Sequence, residues 1–396
     1  MSIQFLSDRI NSLTTSQTLA MAAKARELKE QGIDIISLSL GEPDFNTPDF
    51  IKQAAIQAIN DNYSKYPPVD GYLDLKQTIC KKFKRDNNLD YSPAQIVVST
   101  GAKQALFNVA QVMINPGDEV VIPAPFWVSY AEIVKIVGGI PIEVPTTIET
   151  DFKITPAQLE NAITAKTKMM WFSSPCNPSG SVYSQNELEA LADVLKKHPN
   201  IFILSDEIYE HINFSGSHCS IGTIGNLIER TITINGISKA FAMTGYRIGY
   251  IGAPEFIAKA CTKMQGQVTS GANSIAQRAT ITALEADPSV LKEMVQAFKN
   301  RRDLVVKLLR EIPGIKINIP EGAFYVFPDV SSFFGKTLNG TLINSADDLS
   351  MYLLDKAHVA TVTGEAFGNP NCLRLSYATS EDQLTEALKR IKEALK

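Results

Sequence analysis

Lys168-Met169-Met170-Trp171-Phe172-Ser173 and Ile201-Phe202-Ile203-Leu204-Ser205 are two short apolar runs with the amphipathic stretch Gln185 to Lys197 between them. A strand covered on both faces reads as a continuous apolar run, and parallel neighbours need a crossover long enough to hold a helix. The alternation extends from about Ile96 to Ala253. It adds the candidate strands Ile96 to Ser99, Glu119 to Ile122, Thr231 to Ile234 and Arg247 to Ile251, and the helical stretches Gln104 to Met113 and Val128 to Val137. Thr155 before Pro156 is an N-cap and first-turn pair for a further helix ending near Ile163. The pattern predicts an α/β fold built on a mostly parallel, helix-covered sheet.

The last third reads differently. A long helical pattern runs from Pro288 to about Leu309, followed by short strands near Ile315, Tyr325, Val359 and Leu373. Ser380-Glu381-Asp382-Gln383 then has the spacing of a capping box before a final helix. This predicts a smaller α+β domain, on which a helix over Thr18 to Gln31 packs. The expected division is an N-terminal segment over 1–47, a large domain over 48–285 and a small domain over 286–396.

The chain has 396 residues, 44% hydrophobic and 20% charged, the composition of a globular protein with a sizeable core. A formal net charge of -4 lacks the basic excess of a nucleic-acid binder, which directs attention to small molecules. The five cysteines, Cys80, Cys176, Cys219, Cys261 and Cys372, form no C-x-x-C pair, so neither a disulfide framework nor a zinc site is expected. His198, His211, His218 and His358 show no metal-ligand spacing either. Met1 to Ile10 has no long apolar core, and no stretch reaches the ~18 apolar residues of a membrane span. These features fit an unprocessed cytoplasmic protein with no membrane partner.

In doubly wound sheets ligands gather at the carboxyl ends of strands, so the residues just beyond each run matter most. Beyond Ser99 comes Thr100-Gly101-Ala102-Lys103, a turn opening a helix whose N–H groups suit a phosphate. Ser174-Pro175-Cys176-Asn177-Pro178-Ser179-Gly180 is a turn that presents Asn177, and Cys176 beside it has no paired base and reads as packing. Asp206, Glu207 and Tyr209 follow the next run, where a buried acid requires a cation. Ser238-Lys239-Ala240-Phe241-Ala242-Met243-Thr244-Gly245-Tyr246-Arg247 sets a lysine eight residues before an arginine. Alone, each of these is an ordinary turn, cap or solvated charge. In sequence, Gly101, Asn177, Asp206, Tyr209, Lys239 and Arg247 are predicted to follow successive strands and to meet at one sheet edge.

With these motifs in place, the chain closely resembles the class I pyridoxal-phosphate aminotransferases of fold type I. It is most similar to bacterial aspartate aminotransferases of the subgroup that also accepts related dicarboxylic or aromatic substrates. The resemblance runs from Ser39-Leu40-Gly41-Glu42-Pro43-Asp44-Phe45 to Leu373-Arg374-Leu375-Ser376-Tyr377-Ala378-Thr379-Ser380. It implies a seven-stranded sheet, pyridoxal 5'-phosphate as cofactor, and a homodimer with shared active sites. It further implies transfer of an amino group from L-aspartate to 2-oxoglutarate by a ping-pong mechanism.

The resemblance also implies roles. Lys239 is the Schiff-base lysine and proton carrier, and Asp206 faces the pyridine nitrogen. Asn177 and Tyr209 donate to the ring 3′ oxygen, and Trp127, in Pro125-Phe126-Trp127-Val128-Ser129-Tyr130, stacks on the ring. Gly101, Ala102 and Arg247 hold the phosphate, with Tyr66 reaching in from a second subunit. Arg374 grips the substrate α-carboxylate, assisted by the Gly41 backbone. Lys103 aligns with a lysine this subgroup uses for a distal carboxylate; its bland alternative is a solvated first-turn lysine. Members that use prephenate tend to carry a basic residue near Thr14, and this neutral threonine argues against that substrate. Ser16 and Thr18 either contact substrate or cap the following helix, and capping is expected of at least one. The alternatives are an aromatic or neutral amino-acid aminotransferase, a carbon–sulfur β-lyase, and, outside enzymes, a cofactor-binding regulatory domain.

Overall fold

A computed structural model describes residues 5–216 and 218–396; the first residues of the N-terminal segment, 1–4, lie outside it. Seven strands form one sheet: β1 (Ile96–Ser99), β2 (Glu119–Ala124), β3 (Ile140–Pro145), β4 (Thr167–Ser173), β5 (Phe202–Asp206), β6 (Thr231–Gly236) and β7 (Gly249–Gly252). Their order is β1-β7-β6-β5-β4-β2-β3. All pairings are parallel except those of β7, which runs antiparallel to both β1 and β6.

The continuous apolar runs divide strictly by parity. Met169 and Trp171 of β4 pack into one core with Leu204 of β5 and Val120 and Ile122 of β2. Met170, Phe172, Ile203 and Val121 pack into another with Leu188, Leu191 and Leu195 of the helix Gln185–Lys197. Alternate side chains thus serve opposite faces, and because each face is covered by helices, both parities are apolar.

One strand escaped the sequence reading. β3 is an edge strand, largely exposed, with Pro141 and Pro145 in it. Proline is tolerated there because an edge strand pairs on one side only, and its composition hides its strand character. Elsewhere the elements lie where the pattern puts them, shifted by a residue or two: Ala102–Met113 for the helix expected from Gln104, and Ser129–Ile136 for Val128 to Val137. Thr155 caps Pro156–Ala162 as expected.

Beyond the sheet, Tyr325–Val326, Leu373–Ser376 and Val362–Thr363 form a small antiparallel sheet with Leu373–Ser376 in the middle. The helices Lys292–Arg310 and Glu381–Ala394 pack on each other beside it. Near Ile315 the expected strand is reduced to a single bridge between Lys316 and Asp329. Of the Ser380 capping box, the Gln383 N–H to Ser380 Oγ bond is formed at 3.3 Å. The N-terminal helix Gln17–Glu30 packs with Ile35, Leu354 and Ala360, as expected. Ile36–Ser37 then pairs in parallel with Val359–Ala360, and Ser376 N–H donates to Leu38 O at 2.7 Å. The loop Ser39-Leu40-Gly41 is thereby carried from the small sheet to the edge of the large one.

Candidate active site

The carboxyl ends of six parallel strands and the start of antiparallel β7 lie at one sheet edge. This corrects one expectation: Arg247 precedes its strand rather than following it, and reaches the same edge because β7 is reversed. A cavity of about 420 Å³ opens there. Ala102, Lys103, Trp127, Asn177 and Asp206 line it from the ends of β1, β2, β4 and β5. Tyr209, Lys239 and Arg247 close it from the other side, with Gly41 and Arg374 from the small-sheet region.

Lys239 Nζ, half-buried at the cavity floor, donates to Gly41 O at 2.6 Å. Burial pushes its pKa down to about 8; Arg374 and Arg247 act in the same direction against Glu42 and Asp206. An amine so placed is available neutral near physiological pH, as nucleophilic and proton-transfer chemistry requires. Asp206, the last residue of β5, shows the opposite shift, raised to about 6 by burial. Tyr130 Oη donates to its Oδ2 at 2.7 Å and Ile208 N–H to its Oδ1 at 3.2 Å, both favouring the ionised form. A cation in the cavity would relieve the cost that remains.

Arg374 is buried in the central strand of the small sheet. Its NH1 donates to Asn177 Oδ1 at 3.2 Å and its NH2 to Ser39 O at 2.6 Å, while Nε has no partner. No carboxylate among the described residues pairs with it; the faces of Tyr325 and Phe367 lie 4.7 and 4.9 Å from its guanidinium carbon. A buried guanidinium with a vacant donor is a carboxylate receptor by chemistry. Tyr209 Oη meets Tyr325 Oη at 2.9 Å.

At the opposite end, Gly101 has φ of 80° and caps the helix Ala102–Met113. A side chain there would collide with the Arg247 guanidinium, whose NH1 donates to Thr244 O at 2.8 Å. Helix N–H groups and a guanidinium thus converge where a phosphate fits. Lys103 Nζ sits 4.8 Å from the Trp127 ring centre, and burial lowers its pKa, with Arg247 adding to the effect. An anion corner, a carboxylate, an amine and an aromatic wall in one cavity match the parts of a phosphorylated pyridine aldehyde.

Some expected residues stand apart. Tyr66 does not line the cavity and is 93% exposed. Ser16 and Thr18 do line it, but Ser16, at the N-cap position, makes no side-chain cap bond, and Thr18 Oγ1 is buried without a partner. The capping expected of one of them is therefore not formed. Thr14 N–H donates to Glu132 Oε2 at 3.0 Å. The sequence reading also missed Tyr130, Tyr325 and Glu42. Tyr130 was within reach, since it lies three residues beyond Trp127 on the same helix turn; Tyr325 was masked as a core aromatic.

Sequence spacing gave no hint of metal-type groupings, yet the fold makes two among the described residues: Asp86, Glu210 and His211, and Glu207, Glu210 and His218. A cation is already present among them. The Lys82 ammonium, 1% exposed, pairs with Glu210 and donates to Asn87 Oδ1 at 2.6 Å. Asn87 Nδ2 in turn donates to Glu207 at 2.8 Å and Glu210 at 2.5 Å. Apart from His218 Nδ1, which has no hydrogen-bond partner among the described residues, the charged groups of the cluster pair with one another.

Comparison with known proteins gives a consistent set of matches. A family model described as aminotransferase class I and II matches residues 33–391. A probable aspartate/prephenate aminotransferase of Rhizobium leguminosarum bv. phaseoli is 49% identical over 390 residues, covering 98% of each chain. An aspartate aminotransferase of Bacillus subtilis is 47% identical over 389 residues, again 98% of each. Among solved structures, the aspartate aminotransferase from Rhizobium meliloti matches with TM-score 0.96 and 44% identity over 98% of both chains. The Thermus thermophilus enzyme with maleate matches with TM-score 0.93 and 41% identity over 98% of this chain and 99% of that one.

Proposed function

The chain belongs to the class I and II aminotransferases, and from that membership we propose that it transfers the amino group of L-aspartate to 2-oxoglutarate in two half-reactions. The family's cofactor is pyridoxal 5'-phosphate, which when bound supplies the carbonyl that takes the amino group and a ring that accepts electrons.

The protein's own groups then divide the work. Arg247, Gly101 and the Ala102 N–H would hold the phosphate, and Trp127 would cover the ring. Asp206, whose ionised form Tyr130 and the Ile208 amide favour, would hold the proton on the ring nitrogen. Asn177 and Tyr209 would donate to the 3′ oxygen. Lys239, its pKa lowered by burial, would be the amine that holds the cofactor's carbonyl and, once neutral and free, the base that moves the substrate proton. Arg374 binds the substrate α-carboxylate, and Lys103, across the cavity, its distal carboxylate.

The observation that carries the substrate class is this pair of cations, Arg374 and Lys103, in one cavity without carboxylates of their own among the described residues. The maleate complex of the Thermus structure, a dicarboxylate in a protein 41% identical, supports the same reading. Prephenate is a second candidate amino acceptor, favoured by the names of several relatives. Against it stands Thr14, neutral and bonded to the acidic Glu132. An aromatic or neutral specificity and a β-lyase are the remaining alternatives.

The site extends across a homodimer in this proposal, with Tyr66 serving the second subunit's phosphate. Phe50, Ile56 and Ile59 on the helix Asp49–Asn60, together with Tyr66 and Leu73, are exposed apolar groups that such a partner would cover. The proposed division at 47 and 285 keeps the seven-stranded sheet in the large domain and the small antiparallel sheet in the small one, with the N-terminal segment joined to the latter region by the pairing of Ile36–Ser37 with Val359–Ala360. Five free thiols fit a cytoplasmic setting.

Turnover with aspartate, phenylalanine, alanine and cystathionine, using 2-oxoglutarate as acceptor, tests the specificity. Aspartate is expected to lead, and Lys103→Ala to lower kcat/KM for aspartate by about 10-fold or more while sparing alanine. Aspartate as the poorest donor, or equal losses for both substrates, would count against the assignment.

A further inference from the structure

We propose that Tyr325 is a positioning residue of this site: its hydroxyl directs the Tyr209 proton into the cavity, and its ring holds the Arg374 guanidinium in place. The inference rests on the transaminase reading above and deepens it.

Tyr325 is fully buried and sits in the strand next to Arg374, paired with Ser376. It touches three elements of the site at once. Its Oη lies 2.9 Å from Tyr209 Oη. Its ring centre lies 4.7 Å from the Arg374 guanidinium carbon. A Cβ on Gly41 would fall 2.6 Å from its hydroxyl, so the tyrosine packs directly on the backbone whose carbonyl accepts from Lys239.

A phenol has one proton to give and two lone pairs. If Tyr209 donated to Tyr325, its only proton would be consumed inside the wall, and the cavity would face an acceptor. If Tyr325 donates, the Tyr209 proton is left for an anionic oxygen in the cavity. The Arg374 cation over the Tyr325 ring favours the second arrangement, because it makes that hydroxyl the more acidic of the pair and the stronger donor. Burial pushes both hydroxyls up, and Arg374 is the foremost opposing influence at Tyr325. Tyr325 donating to Tyr209 also polarises Tyr209 and strengthens its own donation.

The test uses the cofactor-loaded enzyme and its visible absorbance band, whose pH midpoint reports the ionisation balance at Lys239 and the ring oxygen. The groups facing that balance are Glu42, Arg374, Arg247 and Asp206 around Lys239, and Tyr325, Arg374 and Asp206 around Tyr209. All remain in Tyr325→Phe except the one hydroxyl. A donor aimed at an anionic oxygen favours the ionised form, so weakening it should raise the midpoint by about 0.5 to 1 unit. KM for aspartate should stay within about twofold, because the ring under Arg374 is kept. In Tyr209→Phe/Tyr325→Phe the midpoint should equal that of Tyr209→Phe alone, since Tyr325 acts through Tyr209.

Tyr325→Leu, which removes the ring as well, should raise KM by about 10-fold. An unmoved midpoint in Tyr325→Phe overturns the proposal, even if its thermal stability falls. Additive shifts in the double variant, or an unchanged KM in Tyr325→Leu, do the same for the Tyr209 and Arg374 halves respectively. A wild-type enzyme that binds the cofactor but does not transaminate aspartate would sink the preceding proposal instead, because the midpoint requires bound cofactor only.

Discussion

Asp206 and Tyr209 face the cavity, while Glu207 and Glu210, interleaved with them in the same turn, face a closed ionic cluster on the other side. Both places bury charge, and they treat it in opposite ways. In the cluster, burial pushes Glu210 up, yet Lys82, His211 and His218 outweigh it and hold its pKa at about 2. At the cavity, Asp206 is left raised at about 6, Lys239 lowered to about 8, and Arg374 Nε without a partner. Charges that complete one another belong to the frame of the fold. Charges left wanting a partner mark where a ligand enters, and they are held there at a cost in stability.

The largest expected break in this contrast is Lys239→Ala. It should lower transamination by on the order of 10⁴-fold and remove the visible band, with the far-ultraviolet circular dichroism unchanged. Normal turnover in that variant would end the assignment. Lys82→Met attacks the other side. It removes the foremost counter-charge of the buried Glu210, leaving His211 and Asn87 beside it, and should cost about 3 kcal/mol, read as a lower urea midpoint.

Arg374→Met is the mirror experiment. Its kcat/KM should fall on the order of 100-fold, while the thermal midpoint of the cofactor-free protein holds or rises, since an unpaired buried cation is replaced by an apolar side chain. A thermal loss as large as that of Lys82→Met would erase the distinction between the two regions.

The smallest effect is in acid. Glu210 titrates at about 2 in the fold against 4.5 when free, so its contribution is complete above about pH 4.5 and is lost as pH falls toward 2. Wild type should therefore lose on the order of 2 kcal/mol more than Glu210→Gln across that interval in urea unfolding. Parallel acid limbs for the two proteins would show that the cluster does not hold Glu210 ionised.

How much of this was legible in the chain depended on the range of the interactions. The runs Lys168 to Ser173 and Ile201 to Ser205 announce strands because burial on both faces leaves them no polar position. β3 stayed hidden because an exposed edge imposes no such rule. The cavity residues could be ordered from the strand ends and from the resemblance that those motifs carry, but the reversal of β7, which brings Arg247 round, is a pairing choice invisible locally. Lys82 looks like any helix lysine until Glu210, 128 positions later, is folded against it. Tyr325 and Ser39 join the site through contacts between the two sheets, and no short-range pattern records those.

The reversal of β7 has a consequence for how the protein tolerates change. Lys239 and Arg247 lie on one short return between β6 and β7, whose nearest rungs are Asn235 with Tyr250 and Gly236 with Gly249. A crossover helix would have made their separation hostage to side-chain volumes in the layers that cover the sheet. Here it is written in main-chain ladder bonds, and Gly236 and Gly249 leave no side chain at the closing rung to be altered. The ladder fixes the two ends of the return while Ile237, Phe241, Met243 and Ile248 seat it in the core, so the amine that reacts and the guanidinium that anchors are held from both sides.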